Sequence, residues 1–106
     1  MDEKIRQLVG RIKRHLIRTY GEKVKQVMLY GSHVRNEVTS ESDIDVSVRV
    51  DDSLSTSEVR GSLSDLLLDI LLEERELVSV IVVPERFFRN YNTPFILNVK
   101  AEGVVV

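Results

Sequence analysis

The sequence contains no cysteine and no tryptophan, and aromatic residues make up only 6% of its 106 residues. The absence of cysteine excludes disulfides and thiolate metal sites. Only two histidines, His15 and His33, are available for zinc, so a zinc site has weak support. No apolar run approaches the roughly 18 residues that a membrane-spanning helix needs. We therefore expect no membrane contact.

The charge balance is mildly acidic, with a net charge of -2 and a pI near 5.7. A basic excess typical of nucleic-acid binding is lacking, which argues against direct nucleic-acid binding. The N-terminal stretch 1–4 lacks the apolar region of a secretory signal, so a cytoplasmic protein is expected. With 42% hydrophobic and 30% charged residues, the chain is predicted to fold as one domain, 1–106.

The hydrophobic periodicity predicts an α/β (α+β) fold, a small β-sheet with helices packed on it. The predicted helices are 2–20, a short turn 33–36, 56–74, 85–90 and 94–101, and the predicted strands are 24–30, 43–50 and 77–83. Strand 77–83 is almost wholly apolar and is predicted to be central or buried on both faces. The apolar stretch 104–106 either adds to the sheet or contacts a partner. The basic face of the first helix is interpreted as a solvated surface in preference to a binding site for a partner or RNA.

Two aspartates, Asp43 and Asp45, stand one residue apart in the second predicted strand. Because side chains alternate along a strand, both point to one face, and Ile44 and Val46 point to the core. Neighbouring carboxylates repel unless a cation lies between them. Mg²⁺ binds through one or two carboxylates together with substrate phosphates. The pair therefore predicts a magnesium site, although solvent-facing aspartates on an edge strand would give the same pattern.

Gly31 and Ser32 follow the first predicted strand. The glycine permits a sharp turn close to a ligand, and a helix that begins near Ser32 would turn its free N–H groups toward a phosphate. An ordinary strand-to-helix turn remains the alternative. Arg35 offers a fork of donors to a phosphate, or else forms a salt bridge with Glu37 or Glu41. Together with the aspartates, these residues predict a nucleotide site at one end of the sheet.

Gly-Ser, ten residues and Asp-x-Asp resemble the signature of the DNA polymerase β-like nucleotidyltransferases. The stretch LYGSHVRNEVTSESDIDVSV is similar to their minimal members, which are often antitoxins of a helical HEPN ribonuclease toxin. The resemblance implies the polymerase β-like fold with a mixed sheet. It also implies ATP and Mg²⁺ binding, with Asp43 and Asp45 as catalytic metal ligands and with Gly31, Ser32 and Arg35 on the phosphates.

Two departures from the family pattern concern catalysis. Asn36 stands where the family often has glycine, a mild change because asparagine tolerates left-handed backbone. The family's third carboxylate is absent from strand 77–83, where Ser79 is the matching position. Serine is a poor Mg²⁺ ligand and a poor base. Whether Asp51, Glu76 or Glu85 replaces the missing acid stays open.

The resemblance implies transfer of AMP to a hydroxyl, expected to be a tyrosine, on a cognate HEPN toxin, and hence a hetero-oligomer. One alternative is a weak or inactive nucleotidyltransferase-fold module that neutralises the toxin by binding alone. The other is a transferase that acts on RNA or a small molecule, and the acidic balance counts against it.

Overall fold

The computed structural model describes residues 2–35, 37–39 and 42–106, and it has the predicted α/β class. The strands are β1 (Val24–Tyr30), β2 (Ile44–Val50), β3 (Val78–Pro84) and β4 (Val104–Val105). The helices are α1 (Glu3–Tyr20), α2 (Ser32–Arg35), α3 (Thr56–Ser62), α4 (Ser64–Glu74), α5 (Glu85–Asn90) and α6 (Pro94–Glu102), with a 3₁₀ turn at Gly21–Lys23. Asn36, at the position of the family's glycine, and Glu41, a predicted alternative partner of Arg35, lie outside the described residues.

The four strands form one mixed sheet in the order β3-β2-β1-β4. Strand β1 runs antiparallel to β2 and β4, whereas β2 and β3 are parallel. The C-terminal end of β1 therefore lies beside the N-terminal ends of β2 and β3, at one end of the sheet. Val104 and Val105 pair with Leu29 and Met28, so the sheet alternative predicted for the last residues is confirmed.

The two faces of the sheet pack against different helices. Val27, Leu29, Val46 and Val48 face the main core, which holds the buried stripe of α1 and apolar side chains of α3 and α4. The alternate residues Met28 and Tyr30 contact a second, smaller cluster on the other face. That cluster consists of Val83, Phe88, Ile96 and Val99. The second face, which α5 and α6 cover in part, is the face that carries Asp45.

The helix ends follow from capping residues that the sequence predicts. Asp2 accepts from the backbone N–H of Lys4 at 2.7 Å, and Thr93 accepts from that of Ile96 at 3.2 Å. Gly21 ends α1 with φ of 59°, a conformation that glycine adopts without strain. In the part of the chain that the structure describes, no helix has the length and apolar character needed to cross a membrane.

The single helix predicted for 56–74 is wrong, because the structure has two helices that meet at Leu63. Gly61 weakens the helix there, and the Ser62 hydroxyl donates to the carbonyl of Val59 at 2.7 Å, which competes with the helical hydrogen bonds. Leu63 then turns its side chain fully into the core.

Of the two alternatives predicted for the strand at 77–83, the central position is wrong, and burial on both faces is present only in part. Strand β3 lies at the edge of the sheet, and Ile81 is 40% exposed. The strand is apolar because its two faces serve two clusters: Val78 and Val80 join the main core, and Val83 joins the second cluster. The apolar sequence of this strand therefore reflects contacts on its two faces. It does not require a neighbouring strand on each side.

Candidate active site

Gly31 forms the turn at the end of β1 in a backbone conformation that other residues avoid. Its φ is 82°, and a Cβ atom placed on it would overlap the carboxylate of Asp45. The carbonyl of Gly31 accepts from the N–H groups of Val34 and Arg35, both at 3.1 Å, so the glycine also starts α2. Glycine is thus needed here for the turn and for the close approach of Asp45.

Asp45 lies in the middle of a row of polar side chains that crosses three strands. Tyr30 on β1 and Ser79 on β3 are its register partners, and all three lie on the second face of the sheet. Asp43 precedes β2 by one residue, two positions before Asp45. The structure therefore brings Gly31, both aspartates and Ser79 to one end of the sheet.

Burial and neighbouring charges affect the ionisation of Asp45. Burial raises the pKa of Asp45 above its usual value, and the neighbouring charge of Asp43 raises it further, whereas His33 and Arg35 act in the opposite direction. A cation beside Asp45 would favour its ionised form and so oppose both effects.

Tyr30 lies opposite Asp45 on β1. Burial, followed by the negative charge of Asp45, raises the pKa of Tyr30 to about 12. Its ring meets that of Phe95 edge to face, with the centroids 5.5 Å apart. The phenol therefore stays neutral at physiological pH and adds no second negative charge to the site.

Arg35 is held by two carboxylates. Its Nε donates to Glu37 at 3.1 Å and its Nη1 donates to Glu102 at 2.8 Å. Those hydrogen bonds, Glu37 first, raise the pKa of the guanidinium. The predicted alternative of an ion pair with Glu37 is therefore present, and Glu102, at the end of α6, was not foreseen. A phosphate would have to share this guanidinium with the two acids.

The acids considered as replacements for the third carboxylate lie at opposite ends of the sheet. Asp51 and Glu85 directly follow the C-terminal ends of β2 and β3, so about six strand residues, on the order of 20 Å, separate them from Asp45. Glu85 is also paired with Arg49 at 2.8 Å. Only Glu76 of the three lies at the same end, where it lines a cavity with Asp43.

His33 is a site residue that the sequence reasoning considered only as a weak zinc ligand. It lies on α2, its side chain borders the cavity beside Asp43, and its Nε2 atom is buried without a hydrogen bond to any described residue. Its position directly after Gly31-Ser32 was the available signal. Glu102 gave no such signal, because it is 67 residues from Arg35 in sequence.

The donor set fits magnesium better than zinc. Among residues 2–35, 37–39 and 42–106 there is no group of three or more histidines, cysteines or acids that could hold a metal. A closed zinc site needs about four protein ligands, whereas Mg²⁺ accepts one or two carboxylates and completes its shell with phosphates and water. The two carboxylates beside the turn at Gly31 agree with the second arrangement.

The turn, the carboxylate pair and the mixed sheet define a nucleotidyltransferase fold. Residues 11–105 match the family model described as polymerase beta, nucleotidyltransferase, so the chain belongs to this family. The chain is thus a nucleotidyltransferase-family protein with the polymerase β-like fold.

Two relatives come from Methanocaldococcus jannaschii and carry the names "Putative protein adenylyltransferase MJ0604" and "Putative protein adenylyltransferase MJ0128". The first is 32% identical over 88 residues, which cover 82% of this chain and 82% of the relative. The second is 39% identical over 66 residues, which cover 59% of this chain and 65% of the relative. Both relatives thus carry names from one class of nucleotidyltransferase.

Two solved structures share the fold. A crystal structure described as a toxin–antitoxin with AMP-PNP has a TM-score of 0.58 and 20% identity over 90% of this chain and 69% of that chain. A variant of the toxin–antitoxin MntA–HpeT, with two aspartates two positions apart changed to glutamate, has a TM-score of 0.60 and 19% identity over 91% of this chain and 69% of that chain. At these identities the likeness concerns the fold.

Proposed function

We propose that the chain binds ATP with Mg²⁺ and transfers AMP to a hydroxyl group on a partner protein. The observation that carries the proposal is the packing of Asp45 against Gly31, with Asp43 beside it, at the end of the sheet where α2 begins. This arrangement offers a turn for phosphates next to a pair of carboxylates for a divalent cation. The adenylyltransferase names of the two relatives support AMP as the transferred group.

In the proposed reaction the acceptor oxygen forms a bond to the α-phosphorus of ATP. The bond from that phosphorus to the bridging oxygen breaks, pyrophosphate leaves, and the hydroxyl proton passes to solvent or a nearby base. Gly31 and Ser32 would hold the β- and γ-phosphates, with Arg35 beside them. Mg²⁺, held by Asp43 and Asp45, would neutralise the triphosphate charge. Such transfer depends mainly on positioning and charge stabilisation.

The partner is proposed to be a HEPN-family toxin, with a tyrosine hydroxyl as the acceptor and a hetero-oligomer as the working form. The likeness to structures described as toxin–antitoxin supports a role as antitoxin. A protein of this kind would act in the cytoplasm, where toxin and ATP are both present.

A second candidate function is neutralisation of the toxin by binding alone. It is favoured by Ser79, which occupies the register position beside Asp45 where a third carboxylate is expected. Serine cannot serve as a base at neutral pH or as a strong Mg²⁺ ligand. This candidate predicts a tight complex without any change in the covalent structure of the partner.

The test is incubation of the chain with α-labelled ATP, Mg²⁺ and a candidate HEPN partner, beside an Asp43→Asn/Asp45→Asn double variant. We expect label on the partner with the unaltered chain and none with the double variant. Asparagine retains the size of aspartate, so complex formation by both proteins serves as the control for folding.

This experiment distinguishes the two candidate functions. Transfer by the unaltered chain alone supports an adenylyltransferase that works with two carboxylates. A tight complex with both proteins and no label on the partner would instead leave binding as the function. Mass spectrometry of the partner then identifies the modified residue.

A further inference from the structure

Charge is divided unevenly between helix α1 and the rest of the chain. The helix contains six lysines and arginines and one glutamate, a formal charge of +5, so the remaining residues carry -7 and the whole chain -2. Its four arginines, Arg6, Arg11, Arg14 and Arg18, form no ion pair with any residue that the structure describes. Their guanidinium groups are therefore available to a separate molecule.

Helix α4 carries the opposite charge on its outer side. Asp65, Asp69 and Glu73 recur every four residues, are exposed and have no ion-pair partner among the described residues. Leu68 and Leu72 lie beside them and are 52% and 70% exposed. Because residues three and four apart are neighbours on a helix, the two leucines form an apolar strip with an acidic border.

The two helices are antiparallel neighbours on the main-core side of the sheet. Near the start of α1, the Nζ atom of Lys4 lies 3.3 Å from the carbonyl oxygen and 3.5 Å from the carboxylate of Glu74, at the end of α4. Nearer the end of α1, Arg14 and Arg18 line a cavity with Leu66, near the start of α4. The outer sides of α1 and α4 thus form one surface, which we call the helix face.

Helical spacing orders the side chains across α4. Leu66 faces α1, and Asp69 and Glu73, three and seven residues later, lie on the same side of α4. Leu68 is two residues from Leu66, about 200° around the helix, and so lies on the side away from α1. From α1 outward, the helix face therefore presents arginines, then carboxylates, then the leucine strip.

An apolar hollow of about 370 Å³ lies on the other side of α1, toward β4. Gly10, Val105 and Val106 form its apolar part, and Arg6 and Lys13 add positive charge to its lining. Val105 is 58% exposed, and Gly10 contributes no side chain. The hollow is thus the counterpart of the leucine strip: it is apolar with basic neighbours, whereas the strip is apolar with acidic neighbours.

We infer that the helix face is the interface of a homodimer, in which α1 of each copy lies over α4 of the other. A twofold axis along the groove between the two helices produces this arrangement. The arginines beside the groove then lie opposite the carboxylates of the other copy, and the leucine strip lies opposite its apolar hollow. Every contact occurs twice, as an isologous interface requires.

Other occupants fit the helix face less well. A nucleic acid or an anionic membrane would be attracted by α1 and repelled by Asp65, Asp69 and Glu73. Two α4 helices in direct contact would bring the same carboxylates together. The dimer also leaves the candidate site open, because the helix face is on the main-core side of the sheet and Asp45 is on the opposite face.

The size of the helix face predicts a reversible dimer. A helix of 18 residues is about 27 Å long and packed helices lie about 10 Å apart, so the two helices present about 500 Å² per copy. A total on the order of 1,000 Å² is near the lower limit for specific interfaces. We expect a dissociation constant in the micromolar range that rises with salt concentration, because many of the contacts are ionic.

Sedimentation velocity of the full chain between about 1 and about 500 μM tests the dimer. Two charge-reversed chains accompany it: the α1 variant, Arg11→Glu/Arg14→Glu, and the α4 variant, Asp65→Lys/Asp69→Lys. We expect each to dimerise at least about tenfold more weakly than the unaltered chain, because like charges then face each other. The changed side chains lie on the outer sides of the helices, so the circular dichroism spectra should be unchanged.

An equimolar mixture of the α1 and α4 variants should recover the dimer, because each variant supplies the charge that the other has lost. The matched control is Arg86→Glu/Lys100→Glu, which has the same net charge as the α1 variant but changes exposed residues of α5 and α6. This control should dimerise like the unaltered chain, and it should pair with the α4 variant more weakly than the α1 variant does.

Three results would each overturn the inference. The first is an unaltered chain that stays monomeric at the highest concentration. The second is an absence of recovery in the mixture of the α1 and α4 variants. The third is a control that weakens the dimer, or pairs with the α4 variant, as strongly as the α1 variant does.

Discussion

Asp45 is a residue that opposes folding in the absence of a cation. Because its pKa is raised above the ordinary 3.8, folding favours the protonated carboxyl. The stabilisation of the folded state by the protonated Asp45 carboxyl is fully present below pH 3.8. It is lost as the pH rises through the folded-state pKa. At neutral pH the ionised side chain therefore destabilises the metal-free protein.

We expect Asp45→Asn to raise the melting temperature in EDTA at pH 7 by roughly 1–3 °C, a modest value because the group is partly exposed to solvent. The gain should shrink as the pH falls toward 4. Thermal unfolding followed by circular dichroism measures it, with Asp69→Asn on the exposed side of α4 as the control. A lower melting temperature for Asp45→Asn at pH 7 would contradict the assignment.

Gly31 and Gly61 provide a matched pair for the same kind of substitution. Gly31→Ala places a Cβ against the Asp45 carboxylate at a φ of 82°, and we expect a loss of about 1–3 kcal/mol in the free energy of unfolding. Gly61→Ala meets no atom within 4 Å and lies in α3, so a gain of about 0.5–1 kcal/mol is expected. Urea unfolding compares the two, and equal effects would argue against a special role for Gly31.

At the scale of elements, the register of β3 determines which of its residues could supply a third ligand for Mg²⁺. Ser79 is the neighbour of Asp45 across the parallel pair, and Ile81 is two residues further along the same face. We expect Ser79→Asp to tighten Mg²⁺ binding by at least about tenfold, because a third carboxylate would join the pair.

The control is Ile81→Asp, which adds the same charge about 7 Å along the strand. It should change Mg²⁺ affinity only slightly, since the added carboxylate cannot share a cation with Asp45. Isothermal titration with Mg²⁺ measures both variants. Equal tightening by both would show that net charge, and not the register of β3, governs the affinity.

Local signals predicted the elements with short-range causes. The caps Asp2 and Thr93, the turn at Gly31 and the alternation around Ile44 and Val46 each depend on a few neighbouring residues, and the structure has all of them. The edge position of β3 and the break at Leu63 depend on which surfaces meet in three dimensions. Sequence periodicity does not contain that information.

The same distinction applies to the candidate site. The spacing within 31–45 was sufficient to predict that Gly31, Asp43 and Asp45 lie together, because a strand pair connects them. The contact of Arg35 with Glu102 depends on how α6 packs across the second face, so no pattern in the sequence predicts it. The chemical roles of these residues stay predictions.

At the scale of the whole molecule, one sheet joins two apolar clusters. Ile96 is fully buried in the second cluster, whereas Leu97 on the same helix is 49% exposed. We expect Ile96→Ala to lower the free energy of unfolding by about 2–4 kcal/mol and Leu97→Ala by no more than about 0.5 kcal/mol.

Circular dichroism and tyrosine fluorescence should report the same unfolding midpoint for Ile96→Ala, because strands β1 and β3 contribute side chains to both clusters. Separate midpoints for the two probes would mean that the second cluster unfolds independently of the main core.

The sheet order also has a consequence for the time at which the site forms on the ribosome. Strands β1, β2 and β3, at whose common end Gly31, Asp45 and Ser79 lie, are synthesised up to Pro84, whereas β4 and Glu102 follow about 20 residues later. During that interval Met28 and Leu29 at the edge of β1 have no β4 to pair with. A chain in which β4 has not yet paired would present an open strand edge at β1, next to the strand that carries Asp45, and a chaperone or partner that binds strand edges would have its best access before that pairing.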